Sequence, residues 1–325
     1  INFSIIIQLI NFEHWLEDPR VNFELSNNET QIKYPFVALA PCLKLASKES
    51  YSLRDNIELE ISREYANKVV KNRIKDEINL DEIEKYIQND HQIDELINYK
   101  VHDNILVTGG GPSLNGNYDW IKSKKDHLQI IAINRTLIPL IKNGIIPDYI
   151  ICLDSSLDLI KDLKIDRTIS NKIKLIYFPS VQPKILSNWN GKRYFTYSEQ
   201  LNNRELFNDL YKKYPSKTLE VHGSVVLSAV DFAKKLKGKN IYFSGFDFSF
   251  FGDKTHLNDS VRNEKVKNIT SNDMIINGHG DFNASNLSMK GFLRDLEEYI
   301  KRNSNIKFIN CSRLGAKIEG TQYLE

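Results

Sequence analysis

From residue 103 onward, short apolar runs alternate with segments of helical periodicity. The apolar runs NILVT, LQIIAIN, DYIICLD, KLIYF, NIYFS and IKFIN have the length of strands. Between them, patterns such as LIPLIKNG, SVVLSAVDFAKKLKG and MKGFLRDLEEYIKRN predict amphipathic helices. Strands that alternate with helices form βαβ units. We therefore predict an α/β, Rossmann-like domain over residues 101–325, with a mostly parallel sheet and helices on both faces.

Residues 1–100 have a different pattern. The apolar run INFSIIIQLI is followed by a Pro-containing segment and then by a long charged helical pattern, in which Ile57, Ile61, Tyr65 and Val69 form one apolar stripe. We expect a partial N-terminal α/β-helical domain here, with most of its charges on a solvated face. Because the chain begins with Ile and the strand-like INFSIIIQ has no evident partner, we expect an excerpt of a longer protein.

Small and polar residues follow several of the predicted strands. In open parallel sheets, ligands bind beyond the carboxyl ends of the strands. Such residues are Gly109, Gly110 and Gly111 after the first predicted strand, Asn134 after the second, Asp154 after the third, and Gly245 and Asp247 after a later one. This composition is typical of a nucleotide site.

The glycine stretch VTGGGPSLNG matches neither common phosphate-binding fingerprint. A Walker loop requires Lys where Asn117 stands. A dinucleotide fingerprint requires Gly or Ala where Leu114 stands, and an acidic residue where Asn134 ends the second strand. These differences disfavour both a P-loop and an NAD site.

Two interpretations of the glycine loop remain open. Its bare N–H groups can approach a phosphate, with Pro112 setting the first helical turn and Ser113 acting as a cap or a phosphate donor. The alternative is a tight strand-to-helix turn without a ligand. A similar choice applies to Gly223 and Ser224, which precede an apolar helix and represent either a ligand contact or an ordinary Ser cap.

Composition narrows the class of protein. The chain has 44 basic and 42 acidic residues, a net charge of +2, and this balance argues against a general nucleic-acid binder. Cys42, Cys152 and Cys311 are sparse and form no CxxC motif, so we expect reduced thiols in a cytoplasmic protein and no zinc site. INFSIIIQLI is too short to span a bilayer, and we expect no membrane span.

Four motifs carry a family resemblance. The motifs that carry this resemblance are GGGPSL, NGIIPDYIICLD, SGFDFSF with KTH, and CSRLGAKIEGT. Over roughly residues 103–321, the chain resembles the central domain of the bacterial motility accessory factors. These are proposed flagellin glycosyltransferases that add nonulosonic acids such as pseudaminic or legionaminic acid. More distantly, the motifs resemble bacterial sialyltransferases that use CMP-activated sialic acid.

The resemblance implies a role for each predicted site residue. The residues that would hold the CMP part of the donor are Gly109, Gly111, Pro112, Ser113, Asn134, Gly223 and Ser224, and we include Gly110, Gly245 and Asp247 in the same site. Asp154 departs from the sialyltransferases, which have Asn there, and agrees with the motility family. Its carboxylate would hold a ribose diol or recruit a divalent metal.

Two histidines are implied in catalysis by the same resemblance. NGHGDFNASNLSMKGFL resembles the sialyltransferase segment that carries the general base, which places His279 in that role. His256 of KTHLND falls near a position where those enzymes have a tyrosine that donates to the departing phosphate. We expect a one-step transfer with inversion and without an obligatory metal or cofactor.

We therefore expect a cytoplasmic glycosyltransferase that moves a nonulosonic acid from a CMP donor to Ser or Thr hydroxyls, with flagellin as the acceptor partner. Three alternatives stay open. One is a sialyltransferase that acts on a surface glycan. Another is a pterin pyrophosphokinase, because an archaeal group with that activity shares a related domain. The third is a non-catalytic adaptor that binds nucleotide or flagellin.

Overall fold

A computed structural model of the 325-residue chain describes residues 71–72, 74, 78–98, 102–200, 204–250 and 274–324. The chain divides into two compact units, Ile1–Arg73 and Ile74–Glu325. The predicted strand INFSIIIQ, the apolar stripe that begins at Ile57, and His256 lie outside the described residues. The second unit contains all the other predicted site residues.

The second unit is built on a sheet that has nine strands among the described residues. These strands are β1 His91–Gln92, β2 Asn104–Thr108, β3 Gln129–Ile133, β4 Tyr149–Cys152, β5 Lys174–Tyr177, β6 Arg193–Phe195, β9 Asn240–Ser244, β12 Lys307–Asn310 and β13 Gln322–Tyr323. Their order across the sheet is β1-β6-β5-β4-β3-β2-β9-β12-β13, and every pairing is parallel. The prediction of a Rossmann-like α/β fold with a mostly parallel sheet is confirmed.

Helices connect these strands. The α-helices are α1 Leu80–Asn89, α2 Asp94–Ile97, α3 Tyr118–Lys124, α4 Asn134–Lys142, α5 Leu159–Asp162, α6 Arg167–Ser170, α7 Pro183–Leu186, α8 Asn208–Lys213, α9 Val225–Lys235 and α10 Leu287–Arg302. Short 3₁₀ helices are Pro112–Asn117, Lys125–His127 and Glu205–Phe207. Two small sheets complete the unit: β7 Tyr197–Ser198 with β8 Thr218–Leu219, and β10 Met274–Ile276 with β11 Phe282–Ala284.

Both faces of the sheet are covered, as the continuous apolar strand runs predict. In β2, Ile105 and Val107 belong to one core cluster together with residues of α9 and α10. Leu106 points to the other face and packs in a cluster with residues of α3 and α4. All three side chains are fully buried. Within the described residues, no helix combines the length and apolar composition needed to cross a bilayer.

Residues 80–97 extend the sheet at its far edge. β1 pairs with β6, and Ile83 and Ile87 of α1 pack in a cluster with residues of β4 and β5. Asp90 accepts hydrogen bonds from the Arg193 guanidinium at 2.8 Å and the Tyr177 hydroxyl at 3.0 Å. This segment is therefore part of the compact unit that contains the sheet. The proposed division of the chain at residue 100 stays a prediction.

The strand order reverses between β2 and β9. From β2 the chain builds β3, β4, β5 and β6 outward on one side, and it then returns to place β9 and β12 on the other side. Such a reversal opens a crevice at the carboxyl ends of the strands, where open α/β sheets bind ligands. The loops that follow β2 and β9 meet at this point.

Candidate functional site

The glycine loop after β2 packs directly on the loop after β9. The Gly109 N–H donates to the Ser244 carbonyl at 2.7 Å, and the Gly111 N–H donates to the Gly245 carbonyl at 2.9 Å. Gly245 has φ +78°, a left-handed conformation that favours glycine. A Cβ at Gly109 would lie 2.5 Å from the Gly245 oxygen. Close contact between two backbones therefore accounts for part of the glycine pattern.

The Asp247 carboxylate lies against the start of the 3₁₀ helix Pro112–Asn117. It accepts a hydrogen bond from the Ser113 N–H at 2.8 Å and another from the Ser113 hydroxyl. Gly111 leaves room for this carboxylate, because a Cβ there would overlap the Asp247 Oδ2. Both donors of Ser113 are thus engaged by Asp247. The predicted contact of Ser113 with a ligand phosphate stays a prediction, and it requires these bonds to exchange.

Asp247 is nearly inaccessible, with 2% of its surface exposed. Burial raises the pKa of this carboxyl to about 6, although the hydrogen bonds from Ser113 oppose the shift. On its other side, a Cβ at Gly315 would lie 2.5 Å from the Asp247 Oδ1. Asp247 is therefore enclosed between the loops that follow β2 and β12.

Gly110 has more free space around it than Gly109 or Gly111. A Cβ there would meet only the Cβ of Arg135, at 3.9 Å. In the part of the chain that the structure describes, the Gly110 N–H has no hydrogen-bond partner. Arg135 lies in the first turn of α4 and is half-buried. An unpaired backbone N–H at a strand tip, with the base of an arginine side chain next to it, is a favourable environment for an anion.

Sequence reasoning missed Arg135. Its position directly after Asn134, at the tip of the second predicted strand, was the available signal. The closeness of its Cβ to Gly110 depends on how closely α4 approaches the glycine loop, and strand periodicity does not report that distance.

Asn134 is buried at the start of α4, with 4% of its surface exposed. Its Nδ2 donates to the Asp162 Oδ2 at 2.9 Å. Nearby, the Thr108 and Thr136 hydroxyls lie 2.8 Å apart and are fully buried. The structure places Asn134 at the predicted edge, bonded to the protein, and its contact with a nucleotide stays a prediction.

Asp154 lies two residues beyond the end of β4 and is exposed. The next residue, Ser155, is buried, and its hydroxyl has no hydrogen-bond partner among the described residues. The described ranges contain no group of three or more His, Cys, Asp and Glu side chains arranged to hold a metal ion. The role of Asp154 toward a ribose diol or a metal stays a prediction.

The second predicted contact lies at the start of α9. Gly223 has φ +73°, and the Ser224 side chain accepts a hydrogen bond from the Val226 N–H at 3.3 Å. This is the geometry of an ordinary Ser cap. The end of α9 lies at the amino edge of the sheet, where the Lys239 N–H bonds the Asp103 carbonyl at 2.9 Å. Its start, about 16 Å away along the helix, therefore lies at the carboxyl edge with the glycine loop.

His279 lies in the turn between β10 and β11 and is exposed. Its backbone N–H donates to the Asn277 Oδ1 at 2.9 Å. Asn277 forms an isolated bridge with Ala316, whose N–H bonds the Asp247 carbonyl at 2.8 Å. The hairpin is thus attached to the carboxyl edge near Asp247. The assignment of His279 as the general base stays a prediction, as does that of His256.

A second histidine at this edge was not among the predicted site residues. His222 precedes Gly223, and its Nε2 lies 3.0 Å from the Glu220 Oε2. Residues two apart in an extended segment project to the same side, so the spacing in EVH was the available signal.

One cavity lies away from this edge. It has a volume of about 590 Å³ and is lined by residues of α1 and α7 and by Arg193, which begins β6 at the amino edge of the sheet. Arg193 is already paired with Asp90. The cavity is separate from the strand tips where the predicted site residues converge.

Comparison with protein families identifies the chain. A family model described as "6-hydroxymethylpterin diphosphokinase MptE-like" matches residues 78–253, more than half of the chain. The chain belongs to the MptE-like family. This is the family of the Maf motility accessory factors, so the predicted resemblance is confirmed. Comparison with curated proteins gave no match.

The fold of this MptE-like chain is similar to that of a solved structure, the MAf glycosyltransferase from Magnetospirillum magneticum AMB-1. The TM-score is 0.54 at 19% sequence identity, and the match covers 76% of this chain and 38% of that one. At this identity the likeness concerns the fold, and the chain spans less than half the length of that protein. The MptE-like match itself contains the glycine loop, α9, Gly245 and Asp247, while His279 and α10 lie beyond it.

Proposed function

We propose that this MptE-like chain is the catalytic part of a glycosyltransferase that acts in the cytoplasm. It moves a nonulosonic acid of the pseudaminic, legionaminic or sialic type from a CMP donor to Ser or Thr hydroxyls of flagellin. The observation that carries the proposal is the Gly110 N–H, unpartnered in the described residues and adjacent to Arg135 at the switch point of the sheet. The fold shared with a Maf glycosyltransferase supports it.

The donor phosphate binds at the glycine loop in this proposal. The Gly110 N–H and the Arg135 guanidinium supply donors to the phosphate oxygens, which are the groups that prefer such partners. Asp154, exposed beyond β4, accepts hydrogen bonds from the ribose hydroxyls. Asp247 has a structural role, because its carboxylate holds Ser113 and with it the direction of the loop.

The transfer itself needs proton removal and stabilisation of the leaving group. A base takes the proton of the acceptor hydroxyl, the oxygen attacks the anomeric carbon, and the bond to the CMP phosphate breaks with its electron pair on CMP. A histidine suits the first role because it titrates near neutral pH. The resemblance implies His279 for that role and places His256 near the departing phosphate. No metal is obligatory in this scheme.

The description of the family model names one other reaction. A 6-hydroxymethylpterin diphosphokinase transfers diphosphate from ATP, a reaction that uses magnesium held by carboxylates. Asp154 is the candidate ligand at the strand tips for that chemistry. A glycan acceptor in place of flagellin would leave the nucleotide site as described, whereas a non-catalytic adaptor for flagellin would not need one.

Thermal unfolding with nucleotides separates these functions. A ligand that binds the folded state raises the unfolding temperature, and the increase grows with the ratio of ligand concentration to Kd. CMP and CDP should raise it and ATP with Mg²⁺ should not. A shift with ATP and Mg²⁺ alone would replace the proposal by the kinase, and no shift with any nucleotide would favour the adaptor. The acceptor is then identified by measuring how much label a CMP-nonulosonic acid transfers to purified flagellin and how much it transfers to a glycan.

A further inference from the structure

His222 forms a histidine–carboxylate pair at the carboxyl edge of the sheet. Its Nε2 lies 3.0 Å from the Glu220 Oε2. A carboxylate only accepts hydrogen bonds, so this bond places a hydrogen on Nε2 and leaves the lone pair of the neutral ring on Nδ1. In the described part of the chain Nδ1 has no hydrogen-bond partner. The side chain is 33% exposed, so a ligand can reach the ring.

Glu220 is itself held in place. Its side chain is 11% exposed and accepts from the Arg302 guanidinium at 2.9 Å. The hydrogen bond with His222, followed by that with Arg302, lowers the pKa of Glu220 to about 2, against the opposing effect of burial. The Glu220 N–H is also bonded, to the Asp231 Oδ2 at 3.0 Å. The carboxylate therefore stays charged at neutral pH and keeps one position.

The other side of the imidazole is bounded by Gln200. Its amide nitrogen lies 3.1 Å from the His222 Nε2, and because both atoms carry hydrogen in this tautomer, this is a contact without a hydrogen bond. The Gln200 Oε1 accepts from the Val221 N–H at 2.8 Å and from the Ser198 hydroxyl at 3.0 Å, which fixes the orientation of the amide. The ring is thus held by its bond to Glu220 and bounded by the restrained amide of Gln200.

His279 lacks such a support among the described residues. Its ring lies in an exposed turn, and its hydrogen bond to Asn277 involves the backbone. A proton acceptor works best when a further group orients it toward the reacting atoms. Of these two histidines at the carboxyl edge, His222 is the one that meets this condition.

We propose that His222, in place of His279, is the catalytic residue that takes the acceptor proton, on its Nδ1, and that Glu220 is its positioning residue. This inference rests on the proposed glycosyl transfer. The acceptor O–H bond breaks and its proton passes to Nδ1. The oxygen forms a bond to the anomeric carbon, and the bond between that carbon and the CMP phosphate breaks with its electron pair on CMP. The imidazolium remains bonded to Glu220 and later releases its proton to solvent.

The experiment measures CMP release and CMP affinity on the full chain. The donors are CMP-pseudaminic, CMP-legionaminic and CMP-N-acetylneuraminic acid, with unglycosylated flagellin as the acceptor. His222→Ala should lower kcat by about 100-fold or more, leave the Kd for CMP within about 3-fold, and regain activity with added imidazole. The loss should exceed that of His279→Ala. Glu220→Gln should lower kcat with little effect on KM. If Glu220→Gln does not fold, the recovery of His222→Ala activity with added imidazole still tests the catalytic role of His222.

The control is His91→Ala. His91 also pairs with a glutamate, Glu95, at 2.9 Å, but it lies on the edge strand β1, far from the switch point. Its loss should leave kcat unchanged. A wild-type kcat in His222→Ala would overturn the assignment of His222 as the proton acceptor. An equal loss of CMP affinity and kcat would also overturn it, because that result is expected of a residue that binds the nucleotide. If the wild-type chain neither binds CMP nor releases it from any donor, the proposed transfer fails and this inference fails with it.

Discussion

The Asp247 carboxylate bonds both donors of Ser113, its backbone N–H and its hydroxyl. These residues follow different strands, β9 and β2, which are neighbours at the point where the strand order reverses. The bond therefore ties together the two halves of the sheet where the ligand crevice opens. The same bond fixes the conformation of the glycine loop. In our proposal, this conformation leaves the Gly110 N–H available to donate to a ligand.

The first prediction concerns this bond. Asp247→Asn replaces one carboxylate oxygen by an NH2 group, which cannot accept a hydrogen bond from Ser113. Hydrogen bonds to buried charged groups contribute about 1.5–3 kcal/mol, so the free energy of unfolding should fall by roughly that amount. Urea denaturation at pH 7 measures it. Ser113→Ala, which removes the hydroxyl but keeps the N–H, should have a smaller effect. Equal stability of Asp247→Asn and wild type would contradict a net stabilisation by this contact.

The raised pKa of Asp247 predicts a specific pH dependence. The folded-state pKa of about 6 exceeds the ordinary value of 3.8, so between these values the folded state binds more protons than the unfolded one. The contribution of Asp247 to stability should therefore decrease as pH rises from about 4 to about 6, by about 3 kcal/mol, and stay constant above. Asp247→Asn cannot titrate. The difference in unfolding free energy between wild type and this variant should shrink across that window, and a constant difference would contradict the assignment.

Gly245 supports the loop contact through its backbone. Gly245→Ala introduces a Cβ that overlaps the Gly109 oxygen, in a conformation with φ +78° that side chains rarely adopt. We expect a loss of about 2 kcal/mol or more in unfolding free energy. Gly116→Ala is the matched control, because no atom lies within 4 Å of its Cβ position. It should change stability by about 0.5 kcal/mol or less, and similar effects of both variants would argue against close contact between the two loops.

Gly110 and Gly111 should respond differently to substitution. A side chain at Gly111 overlaps Asp247, so Gly111→Val should destabilise the fold and is a poor test of binding. A Cβ at Gly110 would meet only the Arg135 Cβ, at ordinary contact distance, so we expect Gly110→Val to fold normally. It fills the space beside the open N–H, so calorimetry should show CMP affinity lowered by about 10-fold or more, a change of about 1.4 kcal/mol. Unchanged CMP affinity in a folded Gly110→Val variant would remove the glycine loop from the site.

Strand and helix periodicity was enough to predict most strands of the sheet. The runs that became β2, β3, β4, β5, β9 and β12 are buried on both faces, and that environment selects continuous apolar residues. β1 is only two residues long, His91–Gln92, and a pattern that short has no period. Its pairing with β6 depends on tertiary packing of α1, which the local sequence does not report.

The sequence predicted which residues stand at the strand tips of the candidate site, but only partly how these residues are arranged. The positions of Gly109, Asn134 and Asp247 at strand tips follow from the alternation of elements. Their contacts do not, because the partner of Ser113 is 134 residues away in the chain. The pairing of His222 with Glu220 is local, and its spacing of two residues was visible in the sequence. Only the structure shows that Arg302 holds this glutamate.

A crystal structure of the chain with CMP is the decisive experiment for the proposed donor site. We predict the phosphate within about 3 Å of the Gly110 N–H, beside Arg135, with the ribose toward Asp154. CMP bound at another surface, or a glycine loop that stays empty at saturating CMP, would contradict the proposal.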